Sequence, residues 1–172
     1  MFQNSKREVA LIIYTKIVTQ SRKPFFYKEL KITDDFFGRL EVLSFNLILI
    51  MWSLKKKKNK VLSQELFNIF FEDLDNSLRE LGVSDLSVGK KIKVLAQNFY
   101  GRLLVYTNLF EKFLNNKNIT NLQNKIIRNF KILSQSETIN EKLNKYICEN
   151  IFYFNEIEIK TIKNAKFEYK II

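Results

Sequence analysis

The residues that could do chemistry in this sequence are concentrated near the stretch from Leu78 to Arg102, which holds three of the four glycines. Three carboxylates accompany it: Asp73, Asp75 and Asp85. Asp73 and Asp75 are two residues apart, so on a helix they point in different directions and make a poor acid/base pair. The chain has no histidine, which removes the usual general base and the triads that need an imidazole. We therefore expect a protein that is not an enzyme, with a carboxylate-dependent enzyme as the weaker alternative.

Metal, nucleotide and haem sites are also not expected. Cys148 is the single cysteine, which excludes an internal disulfide and a cysteine-based zinc site. It fits a reducing compartment, and we interpret it as a small buried apolar residue. Gly82 and Gly89 do not make a GxGxxG or GxxxxGK[ST] loop, because two lysines follow Gly89 where Ser or Thr is needed. No histidine and methionine pair is placed to ligate haem, so the sequence predicts no cofactor.

The net charge of +11 is unevenly distributed. Residues 1–60 carry +8, residues 61–100 carry −2 and residues 101–172 carry +5. Lys55 to Lys58, with Lys60, form the only dense basic run. Two interpretations stay open: contact with an anionic membrane surface or RNA, and a solvated helix end, where cations are favourable.

No secretory signal is visible at the start of the chain. The most apolar run, Val42 to Leu54, has 13 residues and is interrupted by Ser44, Asn46 and Ser53. A membrane span needs about 20 apolar residues. We therefore predict a buried helix here, in a soluble or peripheral cytoplasmic protein.

Four glycines and one proline are too few for many short strands, which favours long helices. The sequence predicts an all-α fold: a single-domain bundle of about six helices with a short irregular C-terminal tail. In the first half of the chain, the predicted elements are a helix over 7–20, a short helix that starts at Pro24, and a helix that is capped by Thr33 and runs to about Leu54. A further helix starts at Ser63 and ends at Gly82. The second half is predicted to contain a helix capped by Ser87 that runs from Val88 to about Phe113, and helices over 121–133 and about 137–154.

The helix from Val88 has two distinct faces at 100° per residue. The predicted core stripe comprises Ile92, Leu95, Ala96, Phe99, Leu103, Tyr106 and Phe110. Lys90, Lys93, Gln97 and Gly101 fall on the opposite face. Tyr100 and Tyr27 lie outside the stripe and are interface candidates.

Several candidates have two interpretations. Gly38 and Gly101 lie inside helices, where glycine costs about 1 kcal/mol relative to alanine. We favour close packing of the protein's own helices at both, with approach of a partner helix as the alternative. Asp75 and Arg79 are spaced for a surface pair, or Arg79 fixes the next helix through a buried pair. Arg22, Arg39 and Arg102 suit either internal bracing or recognition of a partner's carboxylates and carbonyls.

The sequence also resembles a known family, that of the ubiquinol–cytochrome c chaperones. The resemblance covers about residues 11–106, with weak likeness beyond apart from Lys166 and Phe167. The matching motifs are Tyr14…Ile17-Val18…Gln20-Ser-Arg22-Lys-Pro24-x-Phe26-Tyr27, Thr33-Asp34…Gly38-Arg39-x-Glu41, Gln64-x-Leu66-Phe67…Phe71-x-Asp73-x-Asp75…Leu78-Arg79-Glu80-Leu81-Gly82-Val83-x-Asp85-Leu86, Val88-Gly89-Lys90-x-Ile92-Lys93, and Phe99-Tyr100-Gly101-Arg102 with Tyr106. Asn46 stands where the family usually has histidine, and Ser21-Arg22-Lys23-Pro24 replaces its Ala-Arg-Arg-Pro pattern.

The resemblance implies an assembly chaperone that binds newly made cytochrome b at the inner membrane and promotes assembly of complex III, the ubiquinol–cytochrome c reductase. It implies cytochrome b, apo or newly loaded with haem, as the partner. The ribosome near the nascent chain, an anionic membrane surface and a small partner subunit are further partners it leaves open. Because the chain starts almost directly at the domain, we expect a bacterial member. A basic RNA- or ribosome-binding helical module is the alternative.

We expect the partner segment to bind in a groove between the helix that starts near Ser63 and the helix from Val88, with Lys93, Gln97 and Tyr100 at its edge. The candidate partner-binding residues are Arg22, Pro24, Tyr27, Arg39, Glu41, Asp73, Asp75, Arg79, Asp85, Lys90, Lys93, Gln97, Tyr100 and Arg102. The candidate membrane-surface residues are Lys55, Lys56, Lys57, Lys58 and Lys60.

Overall fold

The computed structural model describes residues 2–132 and 136–171. Within these residues the fold is all-α, with one short π-helix and no strand. The elements are α1 (Phe2–Ser21), the π-helix (Phe25–Glu29), α2 (Phe36–Lys56), α3 (Lys60–Glu80), α4 (Asp85–Asn116), α5 (Thr120–Phe130), α6 (Glu137–Glu156) and α7 (Ile159–Lys163). The predicted single all-α domain is confirmed.

The central element is α2, which packs against α1, α3, α4, α5 and α6. Every residue from Ser44 to Leu54 is buried, as expected for a helix surrounded by neighbours. By length and composition α2 could cross a membrane, with a mean hydropathy of 1.4 over its most apolar window, but 72% of that window is buried inside the protein. The predicted buried helix is confirmed, and the other helices surround it.

Three predicted N-caps were wrong, each because a nearby polar residue takes the position. Asp35, and not Thr33, caps α2, accepting a hydrogen bond from the Gly38 backbone N–H at 2.7 Å. Asn59 caps α3 through the N–H of Leu62 at 3.2 Å, so α3 begins before Ser63. Ser84, and not Ser87, occupies the N-cap position of α4. Asparagine, serine and aspartate are near-equal caps, so sequence alone does not choose between close neighbours.

Two predicted helix boundaries agree with the structure. Gly82 has φ of 83° and closes α3, with hydrogen bonds from Gly82 N to Arg79 O and from Val83 N to Leu78 O, the pattern of a Schellman motif. Ser136 caps α6 through the N–H of Ile139. The predicted helix over 121–133 is shorter: α5 ends at Phe130, and position 133 lies outside the described residues.

The C-terminal tail is part of the core. The side-chain amide of Asn150 on α6 donates to the Lys170 carbonyl and accepts from the Lys170 N–H, both at 2.9 Å. It thus satisfies both backbone groups of Lys170, as a neighbouring β-strand would. Phe167 and Tyr169, which precede Lys170, are buried. The sequence predicts only an irregular tail here, because the partner of its backbone is a side chain 20 residues away. Cys148 was expected to be buried, and it is half-buried.

Candidate functional site

A groove of about 620 Å³ lies between the C-terminal end of α2, the first half of α3 and the middle of α4. Its lining is mostly apolar and aromatic, with lysines and neutral polar groups around it. The lining residues are Met51, Trp52, Lys55, Lys60, Ser63, Gln64, Phe67, Tyr100, Leu103, Leu104 and Thr107. Leu104, an apolar residue of α4, is 64% exposed. This is the kind of surface that receives an apolar helix or extended segment.

The groove has two different ends. The turn over residues 81–84 makes α3 and α4 antiparallel, and the Phe67 and Tyr100 rings meet at 5.1 Å between centroids. Residues that precede Phe67 on α3 therefore lie beside residues that follow Tyr100 on α4. One end is thus aromatic, and the other carries Lys60 with Lys55 of α2.

The basic run from Lys55 to Lys60 is divided between two environments. The Lys56 ammonium donates to Asn155 Oδ1 at 2.6 Å, lies 3.4 Å from Glu111 and sits 5.0 Å from the Trp52 ring centroid. The two lysines around it, Lys55 and Lys57, differ: Lys55 lines the groove and Lys57 points inward.

The Lys57 ammonium donates to the carbonyls of Phe154 and Asn155, each at 3.3 Å, near the C-terminal end of α6. Burial lowers the pKa of Lys57. Lys55, Lys58 and Lys60 make no ion pair or hydrogen bond through their side chains within the described residues. Two lysines of the run therefore bind the protein itself and three remain available, and contact with an anionic membrane surface or RNA stays a prediction.

Arg102 braces α4 against α2. Its guanidinium donates to both oxygens of Glu41, at 2.6 and 2.5 Å, and to the Asn98 carbonyl at 3.2 Å. The side chains are 23% and 14% exposed. Burial raises the pKa of Glu41, and Arg102 opposes that rise. The pair lines a cavity of about 220 Å³ beside Gly38 and Phe70, and this geometry is that of an internal bracing contact.

Arg22, Tyr27, Arg39 and Asp73 come together around a smaller cavity of about 200 Å³ between α1, α2 and α3. The Tyr27 hydroxyl donates to the Ser21 carbonyl at 2.7 Å, and burial raises the pKa of Tyr27 to about 12. The Arg39 guanidinium lies 6.0 Å from the Tyr27 ring centroid. The sequence predicted these residues as partner contacts, and the structure brings them to one place.

The neighbours of this cavity are held by further contacts. Asp73 accepts a hydrogen bond from the Tyr14 hydroxyl at 2.7 Å, which ties α3 to α1. Arg39 pairs with Asp34 at 2.6 Å on the surface, and Pro24 is exposed at the N-terminus of the π-helix. These contacts hold the elements around the cavity together. The exposed Arg22 side chain also lines the cavity.

Arg79 links α3 to α4 on the surface. It pairs with Asp75 at 2.5 Å, one turn away, and also with Asp85, the first residue of α4. The Arg79 side chain is 45% exposed, so the alternative of a buried pair was wrong. Its link to the next helix was predicted correctly.

The outer face of α4 is open to solvent, as its sequence pattern predicted. Lys90, Lys93 and Gln97 are exposed, and none of them lines the groove, so only Tyr100 of the predicted edge does. An added Cβ at Gly101 would meet no atom within 4 Å, so the expected packing of the protein's own helices there was wrong. At Gly38 it would lie 1.8 Å from the Thr33 carbonyl oxygen, so the close neighbour there is the loop before α2 and not, as had been expected, another helix.

Sequence reasoning missed most of the groove lining. Met51 and Trp52 were assigned to a buried helix, and Leu104 was not singled out at all. The sequence does show that Leu104 is an apolar residue next to the core stripe of α4. In the structure it is exposed. No signal places the end of α2 beside the middle of α4.

A second, basic groove of about 450 Å³ lies on the other side of α4, between α4 and α5. Cations and asparagine amides line it, with no carboxylate among the lining residues. They are Val105, Asn108, Leu109, Lys112, Asn121, Asn124, Lys125 and Arg128. Within the described residues its three cations form no ion pair. Among those residues there is also no group of His, Cys, Asp and Glu side chains suited to a metal ion.

Asn46 is buried, and its side chain makes hydrogen bonds with residues of two other elements. Its amide N–H donates to Ser21 Oγ at 2.9 Å, and its Oδ1 accepts from the Tyr146 hydroxyl at 2.7 Å. Its backbone carbonyl accepts from the Tyr169 hydroxyl at 2.8 Å. One residue thus joins α1, α2, α6 and the tail.

The fold and the groove define an all-helical protein with a mostly apolar groove on its surface. The ubiquinol–cytochrome c chaperone family model matches residues 28–169, and the chain belongs to that family. The match continues through α5, α6 and the tail, where the sequence resemblance was weak. The chain is also similar to the Cbp3 homolog from Brucella abortus, whose crystal structure matches with a TM-score of 0.83 and 28% identity, over 98% of this chain and 92% of that chain. No curated protein matches the sequence.

Proposed function

We propose that this protein is a non-catalytic assembly chaperone that binds newly made cytochrome b and promotes assembly of the ubiquinol–cytochrome c reductase, complex III. The observation that carries the proposal is the family match over residues 28–169, together with a full-length structural likeness to a Cbp3 homolog. The exposed apolar groove between α3 and α4 supports it, because cytochrome b is an apolar membrane protein before assembly and its segments need cover from water.

The groove is the proposed site for a cytochrome b segment, with Phe67 and Leu104 as apolar contacts and Tyr100 at one end. Arg102 and Glu41 line a separate cavity and support the groove by holding α4 against α2. The outer lysines of α4 and the Arg22 cavity are candidate contacts for the rest of the client or for a small partner subunit.

We further propose that the protein works peripherally at the inner membrane. Three available cations where α2 ends and α3 begins support this, because anionic lipid attracts basic residues near its surface by about 1 kcal/mol each. The proposed contacts are Lys55, Lys58 and Lys60, and not Lys56 and Lys57, which bind the protein itself. Changing the three to glutamine should release the protein from vesicles with anionic lipid in a salt-dependent way, and unchanged cosedimentation would remove the lipid contact.

The client proposal is tested by site-directed photo-cross-linking in the native membrane fraction. A photoreactive phenylalanine derivative at Leu104 lies in the groove, and the same derivative at Ile12 is a matched control, since Ile12 is a 60% exposed apolar residue on α1. We expect cytochrome b to be captured from position 104 and not from position 12, and complex III to be lost on deletion of the gene.

Capture of cytochrome b equally from both positions would contradict the groove as the site. Intact complex III after deletion, with no capture of cytochrome b, would contradict the function itself. Capture of ribosomal RNA or ribosomal proteins alone would favour the second candidate.

The second candidate function is binding of RNA, alone or in the ribosome, and the basic groove between α4 and α5 is the observation that favours it. Its cations, Lys112, Lys125 and Arg128, would each displace a counterion from phosphate. A single-stranded RNA bound by all three should show a slope of log K against log salt of about −2. Glutamine at the three positions should abolish both binding and slope, and no RNA binding at low salt would eliminate this candidate.

A further inference from the structure

The groove between α3 and α4 is positive at one end and carries no carboxylate. Lys55 and Lys60 are the only charged groups among its lining residues. The ammonium groups of both are free of ion pairs and side-chain hydrogen bonds within the residues that the structure describes. Their neighbours Lys56 and Lys57 are bound by the protein itself. The groove thus presents two uncompensated positive charges to whatever occupies it.

The length of the groove limits what it can hold. On α3 it runs from Lys60 to Phe67, and on α4 from Tyr100 to Thr107, so that it spans seven residue steps on each wall. At 1.5 Å per residue this is about 10 Å, or two helical turns. The groove therefore covers a short apolar segment and reaches the point where that segment ends.

We propose that the groove selects an apolar segment of about two helical turns that carries a carboxylate at the end lying beside Lys55 and Lys60. This inference rests on the proposed function, since it states which kind of client segment the groove takes. Complementary charges in an interface set orientation and specificity more than affinity. The apolar lining around Phe67 and Leu104 supplies the attraction, and the two lysines decide which segment is accepted and which way it lies.

The inference can be tested with synthetic peptides and the protein's own fluorescence. Trp52 is the single tryptophan of the chain and lines the groove, but it is only 2% exposed. Its emission is therefore used as an energy-transfer donor to a dansyl group on each peptide. Two peptides share one apolar core of eight residues and differ only at its end, which carries two aspartates in one and two asparagines in the other. Aspartate and asparagine have the same shape, so only the charge changes.

We expect the aspartate peptide to bind about fivefold tighter than the asparagine peptide, because each exposed ion pair contributes up to about 1 kcal/mol. The preference should weaken at high salt. Glutamine at Lys55 and Lys60 should remove the preference and leave binding of the asparagine peptide unchanged. Glutamine at Lys160 and Lys163 is the matched control: these exposed lysines lie outside the groove, so the preference should remain.

Each contrary result has a separate meaning. Equal affinity for the two peptides in the native protein would overturn the charge selection and leave the groove as a client site. Absence of binding by either peptide, with cytochrome b still captured elsewhere on the surface, would overturn this inference and retain the function. Loss of vesicle binding in the Lys55 and Lys60 variant, with the peptide preference intact, would assign the two lysines to lipid and also overturn it.

Discussion

Replacing Gly38 with alanine should destabilise the protein, although alanine is the better helix former. Gly38 lies three residues after the cap Asp35, and its N–H donates to the Asp35 carboxylate at 2.7 Å. An added Cβ would lie 1.8 Å from the Thr33 carbonyl oxygen and 3.4 Å from Asp35 Oδ1. The nearest atom belongs to the backbone, so no side chain can rotate away to make room.

The magnitude follows from that distance. The Cβ and the Thr33 oxygen must separate by roughly 1.2 Å to reach 3.0 Å, the shortest separation that real Cβ atoms show. Moving backbone to relieve such crowding costs about 1–3 kcal/mol, and shifting the residues around Asp35 endangers a cap worth about 1 kcal/mol. The helix preference of alanine returns about 1 kcal/mol at most. We expect a net loss of about 2 kcal/mol in the free energy of unfolding.

Gly101 provides the matched control, because the same substitution there meets open space. It lies within α4 and is exposed, so alanine should raise the free energy of unfolding by about 0.5–1 kcal/mol. For a protein of this size each kcal/mol changes Tm by about 2–4 °C. Thermal unfolding followed by circular dichroism should therefore show Gly38→Ala several degrees below the native protein and Gly101→Ala slightly above it.

A Gly38→Ala variant with a Tm at or above that of the native protein would refute the predicted clash. A destabilised Gly101→Ala variant would show that the outer face of α4 is not open around this residue. The two substitutions are chemically identical, so differences in composition or unfolded-state entropy cancel between them to first order.

The remaining predictions concern the buried pair and the cysteine. Arg102→Ala should lower the free energy of unfolding by about 2–4 kcal/mol, because it leaves Glu41 buried without its partner. Arg79→Ala removes only exposed pairs and should have a much smaller effect. Similar losses for the two variants in urea unfolding would contradict the structure. Burial raises the pKa of the Cys148 thiol, so alkylation by iodoacetamide at pH 8 should be slower in the native protein than in urea. Mass spectrometry over time measures both rates, and equal rates would show that the thiol is not shielded.

Long periodic helices were predictable from sequence because one face must be apolar along many turns. On α4 the predicted stripe from Ile92 to Phe110 is buried or half-buried, while Lys90, Lys93 and Gly101 are exposed. Every turn of a long helix repeats the same information, so single errors do not change the assignment. The buried character of α2 followed for the same reason.

Contacts between distant parts of the chain were not predictable in this way. Lys56 and Lys57 look like Lys55 and Lys58 in the sequence, yet they bind groups near Asn155, nearly 100 residues later. Which lysine faces inward depends on where α6 ends relative to α2, and no local pattern contains that relation. The groove was predicted between the correct helices, but its lining was not, because the end of α2 contributes to it as well.

The resemblance implies a histidine at position 46, and the hydrogen bonds of Asn46 explain how asparagine can take its place. A neutral imidazole offers one N–H donor and one acceptor nitrogen. The Asn46 side chain uses the same complement, donating to Ser21 and accepting from Tyr146. The position is fully buried and is not among the groove-lining residues, so a titrating group there would have no access to solvent. At the junction of α1, α2 and α6, the side chain at position 46 must supply one hydrogen-bond donor and one acceptor. Asparagine supplies both and does not titrate.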